Sequence, residues 1–202
     1  MNRSVQTALA ILVAACFASL FVSAVHAQDH ENSIGLSIQS YTPTYDLARN
    51  QYDNAVAMSF TYEYLSDKSS FLRTGVGFLK HSGEAYGRHF IDGPRSTQAL
   101  MPLELSVGYR APLSDHGGHA IIVGLGAQYL SYWETYPGVK RVAAQGIGAI
   151  FYVGPELAIT KSLRIGLEYR VLVGDVQVRI PGQRYEVDLS GSFLQLAVRR
   201  VL

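Results

Sequence analysis

The sequence contains almost no cysteine, little charge and a single tryptophan. Its one cysteine, Cys16, lies in an apolar N-terminal segment, so the rest of the chain has no disulfide framework and no thiol chemistry. Charged residues make up only 16% of the 202 residues, and the formal net charge is +1. Such a chain lacks the basic surface that binds nucleic acid, and its 48% hydrophobic content excludes a disordered polyelectrolyte.

Residues 1–27 predict a cleaved secretory signal peptide. A basic start precedes an apolar segment at 8–21, and a small-residue site ends at Ala27. We therefore expect residues 28–202 to form one exported domain. The alternatives are an uncleaved membrane helix and a lipoprotein acylated at Cys16. The apolar run continues past this cysteine, and no basic flank follows the small-residue site, so the sequence favours the signal peptide.

Beyond this segment, apolar and polar residues alternate with period two rather than with helical spacing. In 163–168, for example, large apolar residues alternate with arginine, glycine and glutamate. This pattern indicates β-strands, because successive strand side chains lie on opposite faces. Eight such stretches are predicted, at 33–41, 52–64, 71–81, 99–110, 120–133, 147–159, 162–172 and 187–202.

The connections between these stretches alternate in length. Those after the second, fourth and sixth stretches are short, whereas those after the first, third, fifth and seventh are longer and more polar, as in 83–98 and 134–145. All long loops then fall at one end of an up-and-down sheet, and both termini fall at the other. Outer-membrane barrels have this asymmetry, with short periplasmic turns and longer external loops.

One face of the predicted strands carries large apolar residues, and the other carries glycine, alanine, serine and charge. An eight-stranded barrel has an interior that its own side chains just fill, so the large face cannot all point inward. The sequence therefore predicts an all-β protein, an eight-stranded antiparallel up-and-down transmembrane β-barrel with the large residues facing lipid. The alternative is a soluble periplasmic barrel that binds an apolar ligand, as lipocalins do, with those residues inside.

Charged residues on the small face would point into a narrow lumen. An unpaired buried charge is very costly, so we predict a Glu/Arg network that plugs the barrel. A narrow porin-like channel for small or hydrophobic solutes is the alternative. The predicted network comprises Arg73, Glu104, Arg110, Glu156, Arg164, Glu168 and Arg170.

Three segments resemble the small outer-membrane β-barrel proteins, namely opacity proteins, outer membrane protein X and the barrel of outer membrane protein A. LMPLELSVGYR (100–110) resembles the fourth strand of that family, GPELAITKSLRIGLEYRV (154–171) its sixth and seventh, and FLQLAVRRVL (193–202) its terminal strand. The family usually ends on an aromatic residue with another two positions earlier, where this chain has Leu202 and Arg200. The resemblance implies a monomer in the bacterial outer membrane, inserted by the barrel assembly machinery.

No constellation in the sequence predicts a catalytic, cofactor or metal site. His81 and Ser82 are adjacent, so a strand directs them to opposite faces, whereas the outer-membrane lipid A deacylases place histidine and serine two residues apart on one face. His116 and His119 lack a third ligand nearby and indicate a solvated turn. Lipid A-modifying activity is thus the least favoured function.

The predicted external loops carry basic residues. Arginine pairs well with phosphate, so these residues are candidate contacts with lipopolysaccharide. The most favoured role is structural or interactive: envelope integrity, and contacts through the external loops with membrane lipid and lipopolysaccharide, without nucleic acid. The candidate contact residues are Arg88, Arg95, Lys140, Arg141, Arg179 and Arg184.

Overall fold

The computed structural model describes residues 31–44, 55–65, 69–84, 95–113, 118–135, 141–180 and 183–202, so the predicted signal peptide lies outside the described residues. These ranges form antiparallel β-structure throughout. No helix among them is long and apolar enough to cross a membrane. The strands are β1 (Asn32–Pro43), β2 (Ala55–Leu65), β3 (Ser70–Glu84), β4 (Arg95–Pro112), β5 (Ala120–Thr135), β6 (Val142–Ala158), β7 (Leu163–Ile180), β8 (Gln183–Asp188) and β9 (Gly191–Val201).

The sheet closes on itself into a barrel. Each of β1 to β6 pairs with the next strand along the chain, β6 pairs with β7, and β9 pairs with both β7 and β1. At the seam between the termini, the backbone N–H of Leu202 donates to the carbonyl of Asn32 at 2.8 Å. Closure gives β1 to β7 and β9 a partner on both sides, as the bilayer requires of backbone polar groups.

Strands β8 and β9 are consecutive parts of one barrel strand. Both pair with β7 in the same register, with Asp175 opposite Asp188 and Leu172 opposite Gly191. Only Leu189 and Ser190 interrupt the strand. The fold is therefore a closed eight-stranded antiparallel barrel, which confirms the predicted fold class.

The large apolar residues face outward, as the volume argument predicts. Ile38, Met58 and Leu196 lie side by side on three paired strands, and each exposes more than half of its surface. The residues that precede and follow each of these three along its own strand point inward and are small or polar. The outward set forms the lipid-facing surface and includes Leu36, Ile38, Val56, Met58, Phe60, Val76, Phe78, Val107, Val123, Leu125, Phe151, Val153, Leu167, Val173, Leu194, Leu196 and Val198.

The predicted long loop between the last two strands is wrong. Strand β7 continues to Ile180, and only residues 181–182 separate it from β8. Val176 and Val178 point inward here, while Gln177 and Arg179 are exposed. The polarity of the two faces is thus reversed relative to the lipid-facing part, because this extension lies beyond the apolar belt and meets water. Polar residues that indicated a loop are the outer face of a strand.

The external half of the lumen is apolar, in contrast to the predicted small and polar interior. Side chains from most of the strands meet there in a packed cluster with little exposed surface. Tyr41 and Phe193 stack within it, with ring centroids 4.7 Å apart. The cluster comprises Tyr41, Ala55, Ala57, Leu79, Leu100, Leu130, Tyr132, Ala144, Leu172, Val176, Val178, Val187, Leu189 and Phe193.

The assignment of faces predicts the effect of Ile38→Arg. This change places a charge in the middle of the lipid-facing side of β1, which costs about 2–4 kcal/mol near the bilayer midplane. We expect the free energy of unfolding, measured by denaturant titration in lipid vesicles, to fall by that amount. Leu113→Arg, at an equally exposed site in the turn that follows β4, is the control and should cost less than about 1 kcal/mol. Equal losses would contradict the assignment.

Candidate functional site

A network of buried glutamates and arginines crosses the lumen on the periplasmic side of the apolar cluster. At its centre, Arg73 of β3 donates hydrogen bonds through Nη1 and Nη2 to the carboxylate of Glu168 on β7, with N–O distances of 2.9 and 3.0 Å. The Nε of Arg73 donates to a carboxylate oxygen of Glu63 at 2.8 Å. Glu63 is the residue directly opposite Arg73 on β2. This bidentate pairing spans the barrel and fixes the position of the guanidinium.

Arg199 of β9 joins three carboxylates. Its Nη1 donates to Glu156 at 2.8 Å, its Nη2 donates to Glu168, and its Nε lies 2.9 Å from Glu63. Gly35 and Gly166 leave the space that this arginine occupies: a Cβ on Gly35 would lie 3.1 Å from its Cγ, and one on Gly166 would lie 2.8 Å from Nη1. Glycine at both positions on the neighbouring strands therefore leaves room for Arg199.

Two further arginines extend the network. Arg110 donates through Nε to Glu156 at 2.8 Å and through Nη2 to Glu63 at 3.3 Å. Arg170 lies on the external side, where it donates to Glu104 and, at 2.6 Å, to the amide oxygen of Gln195. Four carboxylates and four guanidiniums thus form a neutral cluster, in which every charge has an opposite partner.

Aromatic rings fill the remaining space beside the network. A Cβ on Gly108 would lie 2.3 Å from the Phe71 ring, and one on Gly124 would lie 2.2 Å from the Tyr152 ring, so both rings lie directly over glycine backbone. The guanidinium carbon of Arg73 lies 5.2 Å from the Phe71 centroid and 4.4 Å from that of Tyr152. These cation–π contacts add to the ion pairs that cross this layer.

The structure brings together six of the seven residues that the sequence placed in the network. The seventh, Arg164, lies at the periplasmic rim, where it pairs with Glu31, and its Nε is 3.9 Å from Glu156. Sequence reasoning missed Glu63 and Arg199 as members. Both share the inward parity of their strands, which was the available signal, but only the cross-strand register reveals that they meet.

A second feature of the site is an interruption in the barrel wall. The pairing of β3 with β4 is interrupted at two positions. Gly77 lies opposite Pro102 and Phe78 lies opposite Met101, but neither pair is bridged. The backbone N–H of Arg110 donates to Ser69, next to β3. Pro102 is an even number of residues away on the same strand, so its backbone nitrogen also points toward β3. Proline has no N–H, and β4 therefore lacks a hydrogen-bond donor to β3 at this position. Proline is otherwise nearly confined to edge strands and bulges.

A small cavity adjoins this interruption, between the ionic network and the apolar cluster. Its volume is about 30 Å³, which is enough for a water molecule. It touches polar residues of the lumen and apolar residues that face lipid. The polar lining includes Gln39, Glu104, Gln128 and Arg170, and the lipid-facing lining includes Met58, Val76 and Phe78.

A comparable interruption lies between β6 and β7, and there the two backbones come closer together than at Pro102. Gly154 and Pro155 lack bridges opposite Leu167 and Glu168. A Cβ on Gly154 would lie 1.8 Å from the Leu167 carbonyl oxygen, so the two backbones are in close contact. The cavity at Pro102 is therefore not a general consequence of proline in the wall.

The candidate lipopolysaccharide contacts do not all lie in loops. Arg179 and Arg184 are exposed and directly opposite each other on β7 and β8, and Arg95 begins β4. Arg141 immediately precedes β6. Arg88 and Lys140 lie outside the described residues.

The residues considered for catalysis and metal binding do not form a described centre. His81 and Ser82 are consecutive on β3, opposite Gln98 and Thr97. His119 is exposed, and His116 lies outside the described residues. In the part of the chain that the structure describes, no three histidine, cysteine, aspartate or glutamate side chains are grouped to hold a metal ion.

The sequence profile of the outer membrane protein beta-barrel domain matches residues 11–198. The chain belongs to this family. The predicted resemblance to small outer-membrane barrels is thereby confirmed, and the protein is placed in the bacterial outer membrane. No curated protein is similar to it in sequence.

Solved outer-membrane barrels share the fold. OprG from Pseudomonas aeruginosa is 13% identical, with 85% of this chain and 95% of OprG covered and a TM-score of 0.68. Neisserial surface protein A is 12% identical, with 85% and 96% covered and a TM-score of 0.56. Ail from Yersinia pestis, solved with the heparin analogue sucrose octasulfate, is 9% identical, with 86% and 97% covered and a TM-score of 0.51. At these identities the likeness concerns the fold.

The network predicts a large cost for Glu168→Gln. This change leaves Arg73 and Arg199 buried with one carboxylate fewer, and breaking a buried ion pair costs about 3–5 kcal/mol. We expect the free energy of unfolding of the refolded barrel to fall by that amount. Glu186→Gln, at an exposed site on β8, is the matched control and should change it by less than about 0.5 kcal/mol. A similar loss in both variants would show that the network is not tightly coupled.

Proposed function

We propose that the protein is a closed structural barrel that supports the integrity of the outer membrane and makes contacts through its external surface. The observation that carries this proposal is the neutral Glu/Arg network across the lumen, sealed by Phe71 and Tyr152. A lumen filled in this way leaves no aqueous path for ions. Closure of β9 on β1 within one chain supports a monomer, and membership of the outer-membrane barrel family supports insertion by the barrel assembly machinery.

The network predicts the electrical behaviour of the barrel. In planar lipid bilayers the purified protein should produce no discrete current steps, because the ion pairs occupy the lumen. Removing a central pair by Arg73→Ala with Glu168→Ala should open a small conductance in protein that still migrates as a folded barrel on unboiled detergent gels. Discrete steps from the unaltered protein would overturn the proposal of a plugged lumen.

A second candidate function is a route for small hydrophobic solutes. The interruption at Pro102 favours it, because a cavity there adjoins the apolar cluster and is lined in part by residues of the lipid-facing surface. Deletion of the protein separates the two functions. Loss of a structural barrel should raise the entry of a hydrophobic fluorescent dye into cells, whereas loss of a solute route should lower it.

The solute route predicts the effects of Pro102→Ala. The new N–H can donate to the carbonyl of Gly77. This should complete the hydrogen bonding between β3 and β4 and raise the free energy of unfolding by about 1 kcal/mol. Dye entry should fall if solutes leave the lumen here. Pro155→Ala, at the interruption between β6 and β7, is the matched control and should leave dye entry unchanged. Unaltered dye entry in both variants would remove this function from consideration.

A further inference from the structure

A groove runs along the outer surface of the barrel over the external half of β6. Its volume is about 670 Å³. Strand β6 forms the floor, and residues of the neighbouring strands β5 and β7 form the two walls. The lining includes Tyr129 and Trp133 on one wall, Ala143, Gln145 and Ile147 on the floor, and Asp175, Gln177 and Arg179 on the other wall.

The chemistry of the groove changes along its length. At the lower end, Tyr129 lies opposite Ile147 and continues the apolar lipid-facing surface. At the upper end the outward residues of β7 are polar, ending in Arg179. The groove therefore crosses the boundary between the acyl region of the bilayer and the headgroup region. An occupant must be apolar at one end and polar at the other.

Positive charge collects at the upper end. The guanidinium of Arg141 lies over the Trp133 ring, with 5.0 Å between its carbon and the ring centroid. Arg179 and Arg184 lie directly opposite each other on paired strands, and both are exposed. Like charges in such a pair repel, so an anion between them and Arg141 would relieve the repulsion. Arginine is also the side chain that binds phosphate oxygens in pairs.

Acidic residues fix where a phosphate can bind. Asp175 and Asp188 lie opposite each other two rows below the arginines, nearer the apolar belt. Of the two, Asp175 lines the groove in the row of Ile147, where it disfavours an anion and offers an acceptor for hydroxyl and amide hydrogens, whereas Asp188 lies on β8 beyond the groove wall. Gln177, in the row between Asp175 and Arg179, lines the groove and has an amide that can both donate and accept hydrogen bonds. A sugar that carries hydroxyls, an amide and a phosphate matches this arrangement, with Trp133 available to stack on its ring.

We propose that this groove binds the phosphorylated glucosamine end of lipopolysaccharide in the outer leaflet. An acyl chain lies along Tyr129 and Ile147 on the β5 side of the groove, away from Asp175, the sugar faces Gln145 and Gln177, and the phosphate pairs with the upper arginines. A phospholipid has the anion and the acyl chain, but it lacks the sugar that the polar middle of the groove fits. The inference rests on the proposed role in surface contacts and names the lipid partner.

Trp133 is the only tryptophan in the chain, so its fluorescence reports on this groove alone. Purified barrel in detergent would be titrated with hexa-acylated lipid A that carries both phosphates. We expect a saturable change in emission. The affinity should fall about fivefold for each arginine removed by Arg141→Gln or Arg179→Gln, and about twenty-fivefold in the double variant. Arg200→Gln, exposed at the periplasmic end, is the control and should bind as the unaltered protein does.

Two further titrations distinguish the source of the phosphate. Fully dephosphorylated lipid A and phosphatidylglycerol should each bind at least tenfold more weakly. Equal binding of phosphatidylglycerol would assign the groove to phospholipid, and equal binding of dephosphorylated lipid A would remove the role of the arginines; either result overturns the proposal. Binding is measured on isolated protein, so its failure is independent of the conductance and dye-entry results that test the structural role.

Discussion

The structure depends on closure of eight strands around a narrow lumen that its own side chains occupy. In a bilayer every backbone polar group must find a partner within the protein, and only a closed sheet provides this for strands. Closure at eight strands fixes the interior at about the volume of its own side chains. Each inward charge must therefore meet an opposite charge, as Arg73 meets Glu168. Glycines such as Gly35 and Gly166 follow from the same limit, because they make room for Arg199.

The two faces of the barrel exchange polarity where it leaves the membrane. In the lipid-facing part, large apolar residues point outward and charges point inward. In the extension of β7, Val176 and Val178 point inward, whereas Gln177 and Arg179 point outward. One chain thus combines an inside-out membrane protein with a water-exposed β-structure that has its own apolar core. The groove over β6 lies at this transition, which explains why its walls combine aromatic, polar and charged side chains.

Much of this architecture follows from residue parity alone. Alternation with period two identified the strands, and the volume of the large residues decided which face meets lipid. The meeting of Glu63 with Arg199 did not follow, because it depends on register and stagger across strands that are distant in sequence. The length of β7 was missed for another physical reason: a strand that meets water on its outer face has the composition of a loop. Pro102 was visible, but its effect depends on whether its missing N–H faces a neighbouring strand.

The plug and the wall interruption are linked by their positions. The cavity at Pro102 is lined by Glu104 and Arg170, which form the external edge of the ionic network, and it lies below the apolar cluster. An apolar solute that descended through the cluster would meet buried ion pairs, and replacing their partners with hydrocarbon is strongly unfavourable. The interruption between β3 and β4 lies at that depth and involves no ion pair. The network that argues against an aqueous pore would thus also stop a hydrophobic solute from descending further along the lumen.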